Sequence, residues 1–173
     1  MIKIEKAKAS DAEDILEFTK CCGSESDNLT FGKEGIPYSV EEEAKYLSSF
    51  EDSDSSVFYV VRDDDKIIGT GGYTALTRRR LAHRGELSLT IGKAYWNKGI
   101  GTMLVEKLLD FACNDAGSEI VSLEVRSDNK AAVHLYEKFG FKKIGTFRGF
   151  MKINDILIDC DIMELVLNER GIS

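Results

Sequence analysis

Two glycines and a lysine lie at the start of an apolar helical pattern, in the segment YWNKGIGTML that begins at Tyr95. The first turn of a helix leaves backbone N–H groups without partners, and the helix dipole makes this end electropositive. Such a place attracts phosphate, and Gly99 and Gly101 would let a diphosphate lie close to the backbone beside Lys98. The segment predicts a phosphate-binding turn. The alternative is that the glycines only allow a helix to pack closely on a strand.

Two common nucleotide-binding motifs do not match this segment. A P-loop requires GxxxxGK followed by Ser or Thr, and this pattern occurs nowhere in the chain. The GxGxxG fingerprint lacks its third glycine, because residue 104 is leucine. A pyridine- or purine-nucleotide module is therefore a weakened alternative, which would be stabilised by nucleotides that lack pantetheine.

The strand predicted directly before this turn carries polar residues on one face only. Alternation along residues 86 to 91 places Glu86, Ser88 and Thr90 on one face and three apolar residues on the other. A polar face beside a phosphate-binding turn indicates a cleft. The alternative for Glu86 is a position on a solvated sheet surface.

The elements that must position these residues follow from hydrophobic periodicity and turn signals. Capping boxes at Ser10–Glu13 and Ser39–Glu42 predict two early helices, separated by a loop from Gly23 to Tyr38, and the second helix ends near Phe50. The other predicted elements are strands at 2–8, 57–61, 66–76, 86–91, 120–125, 141–150 and 156–167, and helices at 99–116 and 129–138. The helix 99–116 is expected to bury Ile100, Met103, Leu104, Leu108 and Phe111.

The element order is β α α β β β α β α β β, which is typical of an α/β (α+β) fold. We expect a mixed central sheet of about seven strands flanked by about four helices. A length of 173 residues and the lack of repeats or linkers predict one domain over residues 1–173. Gly140 is expected to end the helix 129–138, and Asn154-Asp155 to form a tight turn between the last two strands.

Composition narrows the class of partner. A net charge of −7 argues against general nucleic-acid binding and favours a cationic partner. The start, MIKIEKAKASD, resembles neither a signal peptide nor a membrane span, so we expect a cytoplasmic protein without membrane association. The four cysteines form no CxxC pair and no zinc-type cluster with histidine, which predicts reduced thiols and no metal site.

Two segments together resemble the signatures of the GNAT superfamily of acetyl-CoA-dependent N-acetyltransferases. The segment YWNKGIGT is similar to the family's pyrophosphate-binding pattern, which has Gln or Arg, then Gly three residues on, then Gly or Ala two residues further. The segment NKAAVHLYEKFGF, from Asn129 to Phe141, resembles a later signature with an asparagine, a tyrosine seven residues on, and Gly-Phe. Trp96 departs from the pattern at the Gln or Arg position, so packing at the helix start is favoured there over a phosphate contact. The resemblance covers nearly the whole chain.

The resemblance implies transfer of an acetyl group from acetyl-CoA, the cosubstrate, to a primary amine by direct attack. Glu86 would be the general base, acting directly or through water, and Tyr136 the general acid to the CoA thiolate, since a phenol of pKa about 10 can serve a thiol of about 8.5. Core packing is the alternative for Tyr136. A non-catalytic acyl-CoA-binding sensor is the alternative for the whole protein.

The resemblance also implies which residues bind the cofactor. They come from the end of the strand 86–91, from the glycine turn and from the start of the helix 129–138: Leu89, Thr90, Ile91, Trp96, Asn97, Lys98, Gly99, Ile100, Gly101, Thr102 and Asn129. Asn129 is equally well explained as a helix N-cap without a ligand.

Acceptor specificity is expected from residues 28–37 and 147–158. The last two strands resemble the ribosomal-protein N-terminal and polyamine acetyltransferase branch, which implies a small-molecule amine or a protein N-terminal amine as acceptor. We also expect a homodimer formed through the terminal strands.

Overall fold

The computed structural model describes residues 1–170 and contains one mixed sheet of seven strands with four α-helices. The strands are β1 Ile2–Lys6, β2 Ser56–Asp63, β3 Lys66–Ala75, β4 Arg84–Ile91, β5 Ile120–Arg126, β6 Lys142–Ile153 and β7 Ile156–Val166. The helices are α1 Ala12–Glu25, α2 Val40–Glu51, α3 Ile100–Asn114 and α4 Lys130–Lys138. The predicted order of elements and the predicted fold class are confirmed.

The order of strands in the sheet is β1-β2-β3-β4-β5-β7-β6. All neighbouring strands are antiparallel except β4 and β5, which are parallel. The parallel pair is short, since Arg84–Glu86 pairs with Ile120–Ser122 and no pairing continues beyond it. The sheet therefore opens between the C-terminal ends of β4 and β5.

Helices cover both faces of the sheet. On one face, α3 lies so close to β3 that a Cβ on Gly71 would come within 2.8 Å of Leu104. Buried side chains of α3, such as Leu108, join Tyr73 and Val121 in the larger core cluster. On the other face, α1 and α2 form a smaller core with β2, which contains Ile15, Leu47 and Val60 among others.

The start of α2 is as predicted, and the start of α1 is not. The capping box at Ser39 forms, because the Glu42 N–H donates to the Ser39 hydroxyl at 3.1 Å and the Ser39 N–H donates to the Glu42 carboxylate at 2.8 Å. The predicted box at Ser10–Glu13 does not form. Instead the Asp11 carboxylate accepts from the Lys8 N–H at 2.8 Å, and a 3₁₀ turn at Ala9–Asp11 precedes the helix.

Helix α1 also runs two residues past Gly23, where a loop was predicted. Glycine is required there by close packing, since a Cβ on Gly23 would lie 1.8 Å from the Gly32 carbonyl oxygen. The glycine thus marks a contact with the following loop and does not end the helix.

The buried stripe of α3 differs from the prediction at Met103. This side chain is 47% exposed, whereas Val105, Leu109 and Ala112 are buried together with the other four predicted residues. The helix packs against both the sheet and α4, so its buried face is broader than one narrow stripe and is rotated away from Met103.

The two predicted turn signals near the C-terminus are confirmed. Gly140 has φ +94° directly after α4, and Asn154 and Asp155 have φ +48° and +64° in the β6–β7 turn.

Across residues 1–170, no helix combines the length and apolar character needed to cross a membrane.

Candidate functional site

A cleft of about 1030 Å³ lies where β4 and β5 separate. Its walls come from these two strands, the starts of α3 and α4, and the segment that connects α1 to α2. The predicted site residues that line it are Glu86, Leu89, Thr90, Ile91, Trp96, Asn97, Gly99, Gly101, Thr102, Asn129 and Tyr136. The side chains of Lys98 and Ile100 lie outside the cleft, although their backbone belongs to the same turn.

The opening in the sheet exposes backbone groups of β4. Hydrogen bonds to the β3 side mark both ends of β4. The Leu76 N–H donates to the Arg84 carbonyl and the Gly92 N–H donates to the Ile68 carbonyl, each at 2.9 Å. Antiparallel pairs alternate, so even-numbered residues of β4 bond to β3 while Leu87, Leu89 and Ile91 direct their backbone groups toward β5. Because β5 is no longer paired there, the N–H and C=O of Leu89 face the cleft without a strand partner.

Trp96 forms a hydrogen bond with one of the backbone groups that face away from β3. Its indole N–H donates to the Ile91 carbonyl at 2.8 Å, and 40% of the residue's surface is exposed. The hydrogen bond ties the end of β4 to the turn before α3. Trp96 therefore packs at the helix start, as favoured from the sequence, and it also lines the cleft.

The turn before α3 presents a row of free donors. Asn97 has φ +59° and Gly99 has φ +79°, so two left-handed residues surround Lys98. The backbone N–H groups from 97 to 102 donate to no residue within the part of the chain that the structure describes. Donors grouped in this way at a helix N-terminus fit a diphosphate.

Glycine is required at Gly99 and at Gly101 for different structural reasons. At Gly99 a Cβ would meet no atom within 4 Å, so only the left-handed backbone requires glycine. At Gly101 a Cβ would lie 3.1 Å from the Leu135 side chain, which means that this glycine allows α3 to approach α4. The packing alternative thus holds for Gly101, against a helix and not against a strand.

The side chains of Lys98 and Ile100 take no part in the cleft surface. The Lys98 ammonium lies 5.0 Å from the centre of the Tyr95 ring, and Ile100 is buried in the larger core. Their contribution to an anion site is therefore limited to backbone N–H groups and, for Lys98, to long-range charge.

Asn129 is the N-cap of α4. Its side-chain oxygen accepts from the Ala132 N–H at 3.2 Å, which confirms the capping interpretation. The residue also lines the cleft, so capping fixes the side chain at the rim and does not remove it from the site.

Tyr136 is the buried residue of α4. It is 6% exposed, and its ring packs edge-on against Phe141 with the ring centres 5.8 Å apart. No described residue makes a hydrogen bond with its hydroxyl, and this oxygen is not among the fully buried unpaired atoms, so it reaches the cleft. Burial raises the pKa of Tyr136, which keeps the phenol protonated at neutral pH.

Glu86 lies at the point where the sheet opens. It is paired with Thr74 of β3 and with Ser122 of β5, the last pair before the strands separate. A second carboxylate, Glu124, lines the same cleft from β5, and its pKa is raised by burial and then by the charge of Glu86. Sequence analysis missed Glu124, although the alternation of Ser122, Glu124 and Arg126 with apolar residues was a usable signal.

The predicted acceptor segments contribute to the cleft wall. The residues of these segments that line it are Asn28, Leu29, Thr30, Phe31 and Ile36 from the first and Phe150 and Met151 from the second.

Glu43 of α2 is a further cleft residue that sequence analysis missed. It is 1% exposed, and its Oε2 atom is fully buried with no hydrogen-bond partner among the described residues. Burial alone raises the pKa of Glu43. Glu43 precedes the buried Leu47 and Phe50 by four and seven residues, and this helical spacing was a usable signal that it lies on the buried face of α2.

The cysteines are all unpaired in the structure. Burial raises the pKa of Cys22 to about 12, and burial followed by the charge of Glu124 raises that of Cys160. Both thiols that line the cleft are therefore protonated at neutral pH and are poor nucleophiles. Over the described residues, no group of three or more His, Cys, Asp or Glu side chains could hold a metal ion.

Comparison with known proteins places this geometry in context. The model of the acetyltransferase (GNAT) family matches residues 24–141. An acetyltransferase of the GNAT family from Streptococcus pneumoniae has a similar structure, with a TM-score of 0.91 and 31% identity over 96% of this chain and 99% of that one.

Two curated relatives are similar over part of the chain. An uncharacterized N-acetyltransferase, p20, from Bacillus licheniformis is 26% identical over 110 residues, which are 64% of this chain and 61% of p20. The N-alpha-acetyltransferase RimI from Mycobacterium tuberculosis is 33% identical over 93 residues, 54% of this chain and 56% of RimI. The chain thus spans about three fifths of the length of these relatives.

Proposed function

Because the chain belongs to the GNAT family of acetyltransferases, we propose that it transfers the acetyl group of acetyl-CoA to a primary amine by direct attack, without a covalent enzyme intermediate. The observation that carries the proposal is the position of the free N–H groups of residues 97–102 at the mouth of the opening between β4 and β5. A bound diphosphate at this turn would leave the rest of the cofactor to follow the unpaired edge of β4 toward Glu86 and Tyr136.

The cofactor supplies a thioester-activated acetyl group. Within the chain, the N–H groups of residues 97–102 bind the diphosphate, and the backbone of Leu89 binds the pantetheine amides. The Ile91 carbonyl already accepts a hydrogen bond from the Trp96 indole. The backbone N–H and C=O of Leu89 and the N–H of Ile91 are therefore the groups that can bind the pantetheine amides. Asn129 lines the rim beside them.

Two side chains move the protons. An alkylammonium has a pKa of about 10, so the acceptor must lose a proton before it can attack at neutral pH. Glu86 accepts that proton, directly or through water. As the C–S bond breaks, the Tyr136 hydroxyl, protonated and open to the cleft, donates its proton to the departing sulfur. The new amide nitrogen releases its second proton, and Tyr136 regains one, so the turnover is balanced.

The acceptor is a small-molecule amine or a protein N-terminal amine, and the net charge of −7 suits a cationic one. The experiment is thiol release from acetyl-CoA with a panel of primary amines. Release with at least one amine supports the proposal. Tight cofactor binding with no release for any amine would favour a non-catalytic acyl-CoA sensor.

We further propose a homodimer that forms through the β6–β7 hairpin. Strand β6 of this hairpin is one edge of the sheet. Several large apolar side chains of the hairpin are exposed: Ile144, Phe147, Phe150, Ile156 and Leu157. An exposed apolar edge of this kind supports association with a second copy.

A further inference from the structure

Glu43 is a buried carboxylate that lines the cleft and has no hydrogen-bond or ion-pair partner in residues 1–170. It belongs to no ion pair, and its Oε2 atom accepts no hydrogen bond across the described residues. An ionised carboxylate in such a place is costly unless a cation or a donor arrives to satisfy it. Glu43 lines the cleft, so a ligand bound there can approach it.

Aromatic rings surround the cleft beside this carboxylate. Tyr46 lies one helical turn after Glu43 and lines the same cleft, and its pKa is raised by burial and then by the charge of Glu43. The Tyr46 ring centre is 6.4 Å from that of Tyr38 and 6.2 Å from that of Phe58. A carboxylate with aromatic walls is the environment that an alkylammonium ion prefers, through a charge-assisted hydrogen bond and cation–π contacts.

One cleft connects this pocket with the acetyl-transfer site, because Phe58 and Ser88 both line it. Phe58 of β2, Gly72 of β3 and Ser88 of β4 are aligned across three neighbouring strands. A Cβ on Gly72 would lie 3.1 Å from the Phe58 ring and 3.5 Å from the Ser88 hydroxyl, so Phe58 and Ser88 pack closely over this buried glycine. Ser88 shares its strand face with Glu86.

We propose that Glu43, with Tyr38, Tyr46 and Phe58, forms a second ammonium site, and that the acceptor is an aliphatic diamine bound with one amine there and the other at Glu86. This inference rests on the proposed function for the identity of the reacting amine. The strand alignment separates Phe58 from Ser88 by two strand spacings, about 10 Å, which a diamine with a chain of several methylenes can span. The distal amine stays protonated at neutral pH and neutralises the Glu43 carboxylate.

The test compares 1,6-diaminohexane with 1-aminohexane, which has the same chain and lacks the second amine. Binding of each is measured by calorimetry on the CoA-saturated protein, for the native chain, for Glu43→Gln and for Glu41→Gln. The Glu41→Gln variant removes the same charge from an exposed position on the same helix and serves as the matched control.

The native chain and Glu41→Gln are expected to bind the diamine roughly 10- to 100-fold more tightly than the monoamine, and Glu43→Gln to lose this preference. Equal affinities in the native chain, or a preference that survives in Glu43→Gln, would overturn the second ammonium site. In Glu43→Gln an amide replaces a carboxylate of the same shape, and no hydrogen bond of that carboxylate is lost. The variant is therefore expected to fold, and its thermal unfolding transition is measured to verify this.

Failure of the proposed function would look different. Thiol release from acetyl-CoA is measured with both amines in the same three proteins. An absence of thiol release in all three proteins would contradict acetyl transfer. The calorimetric preference for the diamine would still show whether Glu43 forms an ammonium site. If release occurs, the ratio of kcat/KM between the two amines is expected to follow the binding preference.

Discussion

The indole of Trp96 holds the end of β4 against the turn that begins α3, through a 2.8 Å hydrogen bond to the Ile91 carbonyl. This bond joins the backbone edge proposed for pantetheine to the donors proposed for the diphosphate. Replacing the residue tests whether that connection matters for the cofactor.

Trp96→Phe keeps an aromatic ring and removes the indole donor. The loss of one such hydrogen bond costs about 0.5–1.5 kcal/mol, so we expect acetyl-CoA to bind roughly 2- to 10-fold more weakly. Isothermal titration with acetyl-CoA measures the change. Unaltered affinity would mean that the turn is held in place without Trp96.

Tyr136→Phe removes the proposed proton donor and keeps the ring that packs on Phe141. We expect kcat to fall by about 10²–10⁴, with little change in the dissociation constant for acetyl-CoA. Stopped-flow thiol release and cofactor titration separate the two quantities. A variant with native kcat would assign Tyr136 to core packing alone.

Gly99→Ala forces alanine into a left-handed backbone, φ +79°, where a Cβ meets no neighbour. We expect the strain to destabilise the folded protein by about 1–2 kcal/mol. Each kcal/mol lowers Tm by roughly 2–4 °C in a domain of this size. The matched control is Gly117→Ala, since Gly117 also has a positive φ, +62°, and open space around a Cβ, but lies outside the cleft.

Both glycine variants should lose similar stability in thermal denaturation. Only Gly99→Ala should weaken acetyl-CoA binding, because only its turn presents the donors of residues 97–102. Equal cofactor affinity in the two variants would contradict a specific role for the turn.

The stability of the ligand-free protein should depend on pH through Glu43. Burial raises its pKa in the folded state above the unfolded value of about 4.3, so the folded state holds the proton more tightly. This stabilisation is complete below the unfolded pKa and is lost as pH rises through the folded pKa. The neighbouring Tyr46 has a raised pKa and stays neutral over this window.

Glu43→Gln lacks that loss, so its Tm relative to the native protein should increase as pH rises from the unfolded pKa of Glu43 through its raised folded pKa. Differential scanning calorimetry at four or more pH values provides the curve, with Glu41→Gln expected to follow the native protein. A Tm difference that stays constant with pH would show that the Glu43 carboxyl titrates normally.

Leu157→Glu tests the proposed dimer. Leu157 is 66% exposed at the hairpin, so a charge there should leave the monomer folded and prevent apolar contact with a second copy. We expect light scattering to give twice 19.3 kDa for the native chain and 19.3 kDa for the variant. A native mass of 19.3 kDa at micromolar concentration would contradict the dimer.

Local signals in the sequence were sufficient for most of the fold. The capping box at Ser39, the helix stop at Gly140 and the turn at Asn154-Asp155 each depend on a few adjacent residues, and all three are found in the structure. The start of α1 was missed because the Asp11 carboxylate accepts from the Lys8 N–H in a preceding 3₁₀ turn. The same carboxylate lies 2.7 Å from the guanidinium of the distant Arg62, a contact that no local signal predicts.

The cleft could be predicted only in part, because much of it depends on contacts between distant segments. The glycine turn and the polar face of β4 are contiguous in sequence and were found. The unpaired edge at Leu89 depends on where β5 stops pairing, which no short segment specifies. That Glu43 finds no hydrogen-bond partner among the described residues depends on how α2 packs over β2.

The most direct test is to titrate the ¹⁵N-labelled protein with acetyl-CoA and to follow the backbone amide resonances. The account predicts saturable shifts at residues 97 to 102 and at Leu89, with a smaller response across the sheet at β1. Saturable binding with the largest shifts elsewhere, or no saturable shift at all, would contradict the claim that this turn binds the diphosphate of the cofactor.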